Sequence, residues 1–143
     1  MKLSTKSQYG LRALYVMAGI YPDGKISASG LEKEIYVSSK YLERILRMLC
    51  VAGIVEAERG ASGGYKLKRE PSSITIGEIV RALEDNMEIV GCLSSDCGCP
   101  SKHVWQKLAE GINNVLDGMT LQSMLDDNCA NCKECNADGK NGK

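Results

Sequence analysis

The sequence predicts a mainly α-helical protein, a winged helix-turn-helix followed by a long helix suited to dimerisation. Three observations predict it: apolar residues recur at helical spacing along most of the chain, one glycine-rich hairpin interrupts them, and charge is divided unequally between the halves. The 143 residues carry 18 Lys+Arg and 18 Asp+Glu, a formal net charge of zero. Residues 1–69 hold 12 basic and 6 acidic side chains, whereas residues 70–143 hold 6 and 12. A +6 module joined to a −6 module points to an anion-seeking half and an acidic half. Hydrophobic residues at 43% and charged residues at 25% are globular values, which excludes wholesale disorder.

The elements follow in order. From Ser4 to about Ile20, the residues Leu11, Leu14, Val16, Met17, Ala18 and Ile20 recur at helical spacing. Tyr21-Pro22-Asp23-Gly24 closes that helix as a turn. A short helix is expected at about Ser27–Tyr36, with Leu31 and Ile35 inward. Val37-Ser38-Ser39 is a tight break, and Ser38 or Ser39 can cap the next helix. That helix is expected to reach about Ala52, with Leu42, Ile45, Leu46 and Leu49 on the inner stripe. Its other face holds Lys40, Glu43, Arg44 and Arg47. Two helices joined by a sharp turn, the second polar and basic outside, form a helix-turn-helix pattern.

Gly53 stops the second helix. Ile54–Glu58 and Tyr65–Lys68 are expected strands, joined by Arg59-Gly60-Ala61-Ser62-Gly63-Gly64 as a hairpin tip. A hairpin directly after a helix-turn-helix is a wing. Pro71 and Ser72-Ser73 form a linker, and Thr75-Ile76-Gly77-Glu78 is a capping box. It opens a helix with Ile76, Ile79, Val80 and Leu83 on one face. Asn86 to Pro100 is a loop. Ser101 can cap a long helix to about Gly118, in which Trp105, Leu108, Ile112, Val115 and Met119 are spaced 3, 4, 3, 4. That seam suggests pairing with a second copy. Thr120 starts a last short helix with Leu121, Met124 and Leu125. The expected organisation is residues 1–70 as the DNA-binding domain, 71–127 as loop and dimerisation helices, and 128–143 as a Cys-rich, flexible tail.

No stretch approaches the roughly 18 apolar residues of a membrane span, and the first residues lack the apolar run of a secretory signal. A cytoplasmic location is therefore expected. In a reducing compartment, seven Cys argue for metal or redox chemistry over structural disulfides.

Two constellations carry chemistry. The DNA-facing set is Ser38, Ser39, Lys40, Tyr41, Glu43, Arg44 and Arg47 on the second helix of the motif, with Arg59, Gly60 and Gly63 on the wing. Arg forks onto a guanine edge, a carboxylate such as Glu43 accepts from a cytosine amino group, and glycines let the tip approach a phosphate. The cysteine loop places Cys92, Cys97, Cys99 and His103 within 12 residues. Thiolates suit iron–sulfur clusters and zinc, and composition does not separate them. His103 is either a fourth ligand or a surface residue at a helix start. Cys129, Cys132 and Cys135 form a C-x-x-C-x-x-C run: a second metal site, a source of one ligand, or free thiols. No Ser/His/Asp set, nucleotide-binding G-x-x-x-x-G-K or metal-binding H-E-x-x-H is present, so an enzyme is not expected.

Taken together, these residues resemble the IscR-type (Rrf-two) family of bacterial winged-helix regulators from about Met1 to Asp127. The likeness is carried by Met1-Lys-Leu-Ser-Thr-Lys6 with Tyr9-Gly10, Ser39-Lys-Tyr41-Leu42-Glu43, Gly53-Ile-Val55, Arg59-Gly60 through Gly63-Gly64-Tyr65, Ile76-Gly-Glu78-Ile79, Cys99 with Trp105, and Thr120-Leu121. The resemblance implies a homodimer formed through the long helix, reading a palindromic operator of double-stranded DNA, with Glu43 and Arg59 at positions that touch it. It also implies an iron–sulfur cluster, 2Fe-2S ahead of 4Fe-4S, held by the three loop Cys and a variable fourth ligand. Two features depart from that pattern. Cys97 and Cys99 have only Gly98 between them, and the family's ligand His matches Lys102, one position before His103. The implied function is a transcription regulator, mostly a repressor, sensing cluster, redox or nitric oxide status. The alternatives are a metal-free family regulator of cysteine metabolism acting with a partner enzyme, and an iron–sulfur or redox carrier.

Overall fold

A computed structural model describes residues 2–91 and 98–130, the last three by backbone alone. Six helices and one hairpin are found there: α1 (Thr5–Gly19), α2 (Ala28–Ile35), α3 (Ser39–Val51), β1 (Val55–Glu58), β2 (Gly64–Leu67), α4 (Ile76–Leu83), α5 (Lys102–Gly118) and α6 (Leu121–Ala130), with a 3-10 turn at Pro71–Ser73. The strands pair antiparallel, with Val55 opposite Leu67 and Glu58 opposite Gly64. The winged helix-turn-helix expected from the sequence is the fold found. No helix among the described residues is long and apolar enough to cross a membrane.

One core unites the elements. Leu14 and Met17 of α1, Leu31 of α2, and Leu42, Ile45, Leu46 and Leu49 of α3 meet Ile79 and Leu83 of α4 and Leu121 of α6. All ten are essentially without solvent contact. Because this apolar stripe faces inward on every helix except α5, burial of apolar surface drives assembly of α1–α4 with α6. Gly10 on α1 lets α4 come close, since a Cβ there would overlap Leu83.

Helix ends are set locally. The Ser27 hydroxyl accepts from the Gly30 amide (3.0 Å) and opens α2. Tyr36 ends α2 in the left-handed region (φ 58°), a position usually taken by glycine. Of the two candidate caps for α3, Ser38 serves, its Oγ accepting from the Tyr41 amide at 3.3 Å. The Thr75–Glu78 capping box is complete. Ser101 departs from expectation. It precedes α5 in a helical conformation (φ −89°, ψ −4°) with no side-chain cap, because its hydroxyl instead faces the Cys99 sulfur at 3.1 Å. The last helix runs ten residues, to Ala130, and carries the backbone of Cys129 in its final turn.

Two pairings link segments distant in sequence. Ile26 and Tyr65 exchange backbone bonds of 3.0 and 2.8 Å, adding a one-residue third strand to the wing. Thr75 pairs with Thr120, flanked by bonds from Ile76 N–H to Met119 C=O (2.8 Å) and from Leu121 N–H to Ile74 C=O (3.0 Å). This bridge returns the chain from α5 to the core. α5 itself buries none of its residues. It is held to α4 by a fork in which Arg81 donates to both Asp117 oxygens (2.7 and 3.0 Å) and to Asn113 Oδ1 (2.8 Å).

Candidate nucleic-acid interface and cysteine loop

The outer face of α3 is built by its inner one. Leu42, Ile45, Leu46 and Leu49 lock the helix into the core, so Lys40, Glu43, Arg44 and Arg47 point to solvent. With Ser38 and Tyr41 they line one shallow concavity. Tyr41 is half-buried. Its ring meets Tyr9 edge-on (centroids 6.1 Å, 87°), and its hydroxyl shares a hydrogen bond with Thr5 Oγ1 at 3.1 Å. The Ser39 amide donates to Glu32 Oε2 at 3.1 Å. Ser38, Ser39 and Tyr41 thus seat the helix start, while the four charged side chains beyond them are left to face a partner.

The wing follows α3, and its first strand packs against that helix. Gly60 has φ +105°, which L side chains rarely adopt, and a Cβ on Gly63 would overlap the Glu58 carbonyl. The Gly63 amide closes the tip onto Gly60 C=O at 3.0 Å. These constraints make the turn and leave Arg59 exposed at its root. Below Arg59, Glu58 binds both Lys25 and Lys66, the latter at 3.0 Å. Hydrogen bonds from these two ammonium groups hold the Glu58 carboxyl below the usual carboxylate range. Lys25 precedes Ile26, so this ion pair and the Ile26–Tyr65 bridge together fix the wing against the segment before α2. Tyr65 lies at the junction of wing and α3. Burial first, then the charges of Glu43 and Cys50, push its hydroxyl above the ordinary range, against the opposing influence of Arg47. Glu32, Lys25 and Glu58 were not among the expected site residues. Only the one-residue pairing of Ile26 could have pointed to Lys25 and Glu58, and it leaves no periodicity in sequence, while Glu32 acts across the α2–α3 turn through the Ser39 amide.

Outside this face the positive charge is matched in part, since Lys2, Lys33, Lys68 and Lys107 also stand outside the ion pairs among the described residues. Lys6, Lys25, Lys66, Arg69 and Arg81 each pair with a carboxylate. Lys40, Arg44, Arg47 and Arg59 make no ion pair among the described residues. Unmatched positive charge clustered on one rigid surface is the electrostatic footprint of a polyanion site.

Of the cysteine-loop donors, Cys99 and His103 lie within the described residues. Cys99 is half-buried, and His103 is exposed in the first turn of α5. Cys92 and Cys97 lie outside them, as do Cys132 and Cys135. Among the described residues no group of three or more His, Cys, Asp or Glu gathers as a metal site requires.

This architecture matches known proteins. Residues 3–127 match the Rrf2 family, described as an iron-dependent transcriptional regulator. The HTH-type transcriptional regulator CymR of Bacillus subtilis is 36% identical over 125 residues, 87% of this chain and 89% of that protein. The structure of IscR from T. potens superposes with a TM-score of 0.74 at 39% identity, covering 89% of this chain and 88% of that one. The structure of CymR, titled the global cysteine regulator of B. subtilis, gives a TM-score of 0.77 at 35% identity, over 88% and 97% of the two chains. Sequence match and winged fold agree: the chain belongs to the Rrf2 family of DNA-binding transcriptional regulators.

Proposed function

We propose that the chain acts as a homodimeric repressor that reads a palindromic operator in double-stranded DNA and carries a metal group on its cysteine loop. The observation that carries the DNA reading is the set Lys40, Arg44 and Arg47, exposed on the outer face of α3 without ion pairs among the described residues, with Arg59 likewise exposed on the wing packed beside it. Within it, Arg44, Arg47 and Glu43 stand where base edges would be read. Lys40 and Arg59, with the close-approach glycines Gly60 and Gly63, stand where phosphates or a minor groove would be met.

Cys99 fits a thiolate ligand. It sits one turn before α5, where the partial positive charge of a helix start favours an anion, and the Ser101 hydroxyl at 3.1 Å can donate to a thiolate sulfur. Cys92, Cys97 and His103 complete the proposed donor set, with an iron–sulfur cluster, 2Fe-2S before 4Fe-4S, or zinc as the group held. When bound, a cluster would supply redox chemistry at its iron atoms, which zinc would not. Cys129, Cys132 and Cys135 are proposed as a second thiol site. Anaerobic purification, with the absorption spectrum, iron and sulfide content, and DNA fragments recovered by loaded and stripped forms, tests this reading. A visible charge-transfer spectrum with iron and sulfide is expected, and a colourless protein with stoichiometric zinc overturns the cluster.

The likeness to a cysteine regulator favours a second reading, a metal-free regulator of cysteine metabolism acting through a partner enzyme. It needs no loop thiols, so intact operator control in Cys92→Ala selects it over the first.

A further inference from the structure

We propose that Glu84 is a positioning residue for DNA reading: its carboxylate, 80 residues away in sequence, clamps the first turn of α1, which in turn holds the reading helix through Thr5 and Tyr41.

The clamp has three bonds to one oxygen. Ser4 N–H and Ser4 Oγ each donate to Glu84 Oε1 at 2.8 Å, and Ser7 Oγ donates at 2.6 Å. Ser4 is the N-cap of α1, yet its side chain makes no cap bond within its own helix, and the first turn of α1 holds no acidic residue. Glu84 therefore supplies the negative charge that a helix start attracts. Ser7 is the one buried polar residue among those described, at 1% exposure. A buried hydroxyl needs a partner, and the partner is Glu84. Lys6 reinforces the clamp by pairing with Asp85 at 3.4 Å.

From this fixed end, α1 grips both helices of the motif. Thr5 Oγ1 meets the Tyr41 hydroxyl at 3.1 Å on α3. One turn on, Tyr9 packs edge-on against Tyr41. A further turn on, Arg12 lies over Tyr9 at 5.8 Å and donates to Ile35 C=O at 3.1 Å at the end of α2. Glu84 touches none of the proposed DNA-facing residues, so its effect on DNA passes through Thr5 and Tyr41. The assignment rests on α3 being the reading helix. Glu84 also caps the end of α4, at the root of the segment that leads to the cysteine loop.

The test is a double-mutant cycle on operator affinity with the full chain, with thermal melting recorded in parallel. Glu84→Ala is expected to weaken DNA binding about tenfold. Glu84→Gln, which keeps an accepting oxygen, restores most of it. Thr5→Val, which leaves Tyr41 and every DNA-facing side chain in place, causes a loss of similar size. Combining Thr5→Val with Glu84→Ala adds little further loss, as expected for links acting in series. Amide exchange at residues 5–9 and 39–42 rises together in either single variant. Wild-type affinity in Glu84→Ala, or losses that multiply in the double variant, overturns the proposal. Arg44→Ala separates the two levels. If it weakens binding while Glu84→Ala keeps wild-type affinity, the clamp alone fails. If neither changes binding, the reading of α3 fails and the clamp with it.

Discussion

Arg59 and Glu84 show how differently single residues declare themselves. Arg59 stands beside Gly60 and Gly63 in the sequence, and those glycines announce the wing by residue type and spacing alone. The φ of +105° at Gly60 and the absent Cβ space at Gly63 bear this out. Arg59→Ala is therefore expected to weaken operator binding and to flatten its salt dependence by about one unit of slope per protomer, as for a lost phosphate contact. Titration of DNA affinity against salt measures both, and an unchanged slope and affinity remove Arg59 from the interface. Glu84 had no such announcement. Its partners lie 77 and 80 residues away, and no local pattern encodes a contact of that range. Its acid behaviour follows from those contacts. Burial raises its pKa, but the hydrogen bonds from Ser7 and Ser4 together outweigh burial and hold it below the ordinary 4.5. Glu78 is likewise lowered, first by the Thr75 amide and then, against burial, by Arg69. A carboxyl depressed on folding contributes stability that is present above its unfolded value and lost as pH falls through its folded one. Stability against urea is thus expected to be level above the ordinary carboxylate range and to fall below about pH 4.5, less steeply in Glu84→Gln. A level profile in both proteins contradicts this account.

At the scale of elements, signals confined to four neighbouring residues were legible and those needing a distant partner were not. The Thr75–Glu78 box is a local code: Glu78 N–H donates to Thr75 Oγ1 (3.1 Å) and Thr75 N–H donates to Glu78 Oε2 (2.9 Å). It also carries a second duty, because Glu78 accepts from Arg69 at 3.0 Å and so ties α4 to the chain leaving the wing. Thr75→Ala is expected to cost about 1 kcal/mol, the usual loss of a helix cap, read as a lower urea midpoint with unchanged slope. A change below a few tenths would show that the Thr75–Thr120 bridge alone holds α4. Ser101 followed no such code. Its type and position suggested a cap, but a neighbouring sulfur within reach took the hydroxyl, and propensity alone cannot rank those partners. The left-handed Tyr36 was hidden for a related reason. Tertiary packing of α2 on α3 imposes a conformation that the residue type disfavours.

On the scale of the whole molecule, the division of charge and the bare face of α5 belong to one design. The basic half presents a cluster of unpaired cations on α3 and the wing. The acidic half contributes α4 and α6 to the shared core but leaves α5 outside it. Val104, Leu108, Val115 and Met119, on that helix and at its end, are 58%, 46%, 62% and 40% exposed. Leu108, Ile112 and Val115, with Leu116 and Gly111, line one continuous apolar groove. The 3, 4, 3, 4 seam was legible in the sequence, and the structure adds that Leu108, Val115 and Met119 of it are exposed while Trp105 and Ile112 are half-buried. Apolar surface in a row on a long helix is the usual mark of a partner, and a second copy of the same seam is the partner proposed. The Arg81 fork to Asp117 and Asn113 ties α5 to α4, so pairing of two α5 helices would set the spacing of two reading heads. That spacing has to match half-sites about one turn of DNA apart. Leu108→Asp with Val115→Asp places two charges in the seam without touching the core of α1–α4. The variant is expected to keep its helical spectrum and melting cooperativity, to sediment as a monomer, and to lose operator affinity by far more than a single-contact variant such as Arg59→Ala. A loss of that size follows because two linked heads bind with the effective concentration of their tether, whereas separated heads do not. Retention of a dimer in sedimentation would assign the interface to another surface. A monomer with undiminished affinity would show that one winged helix reads the operator alone.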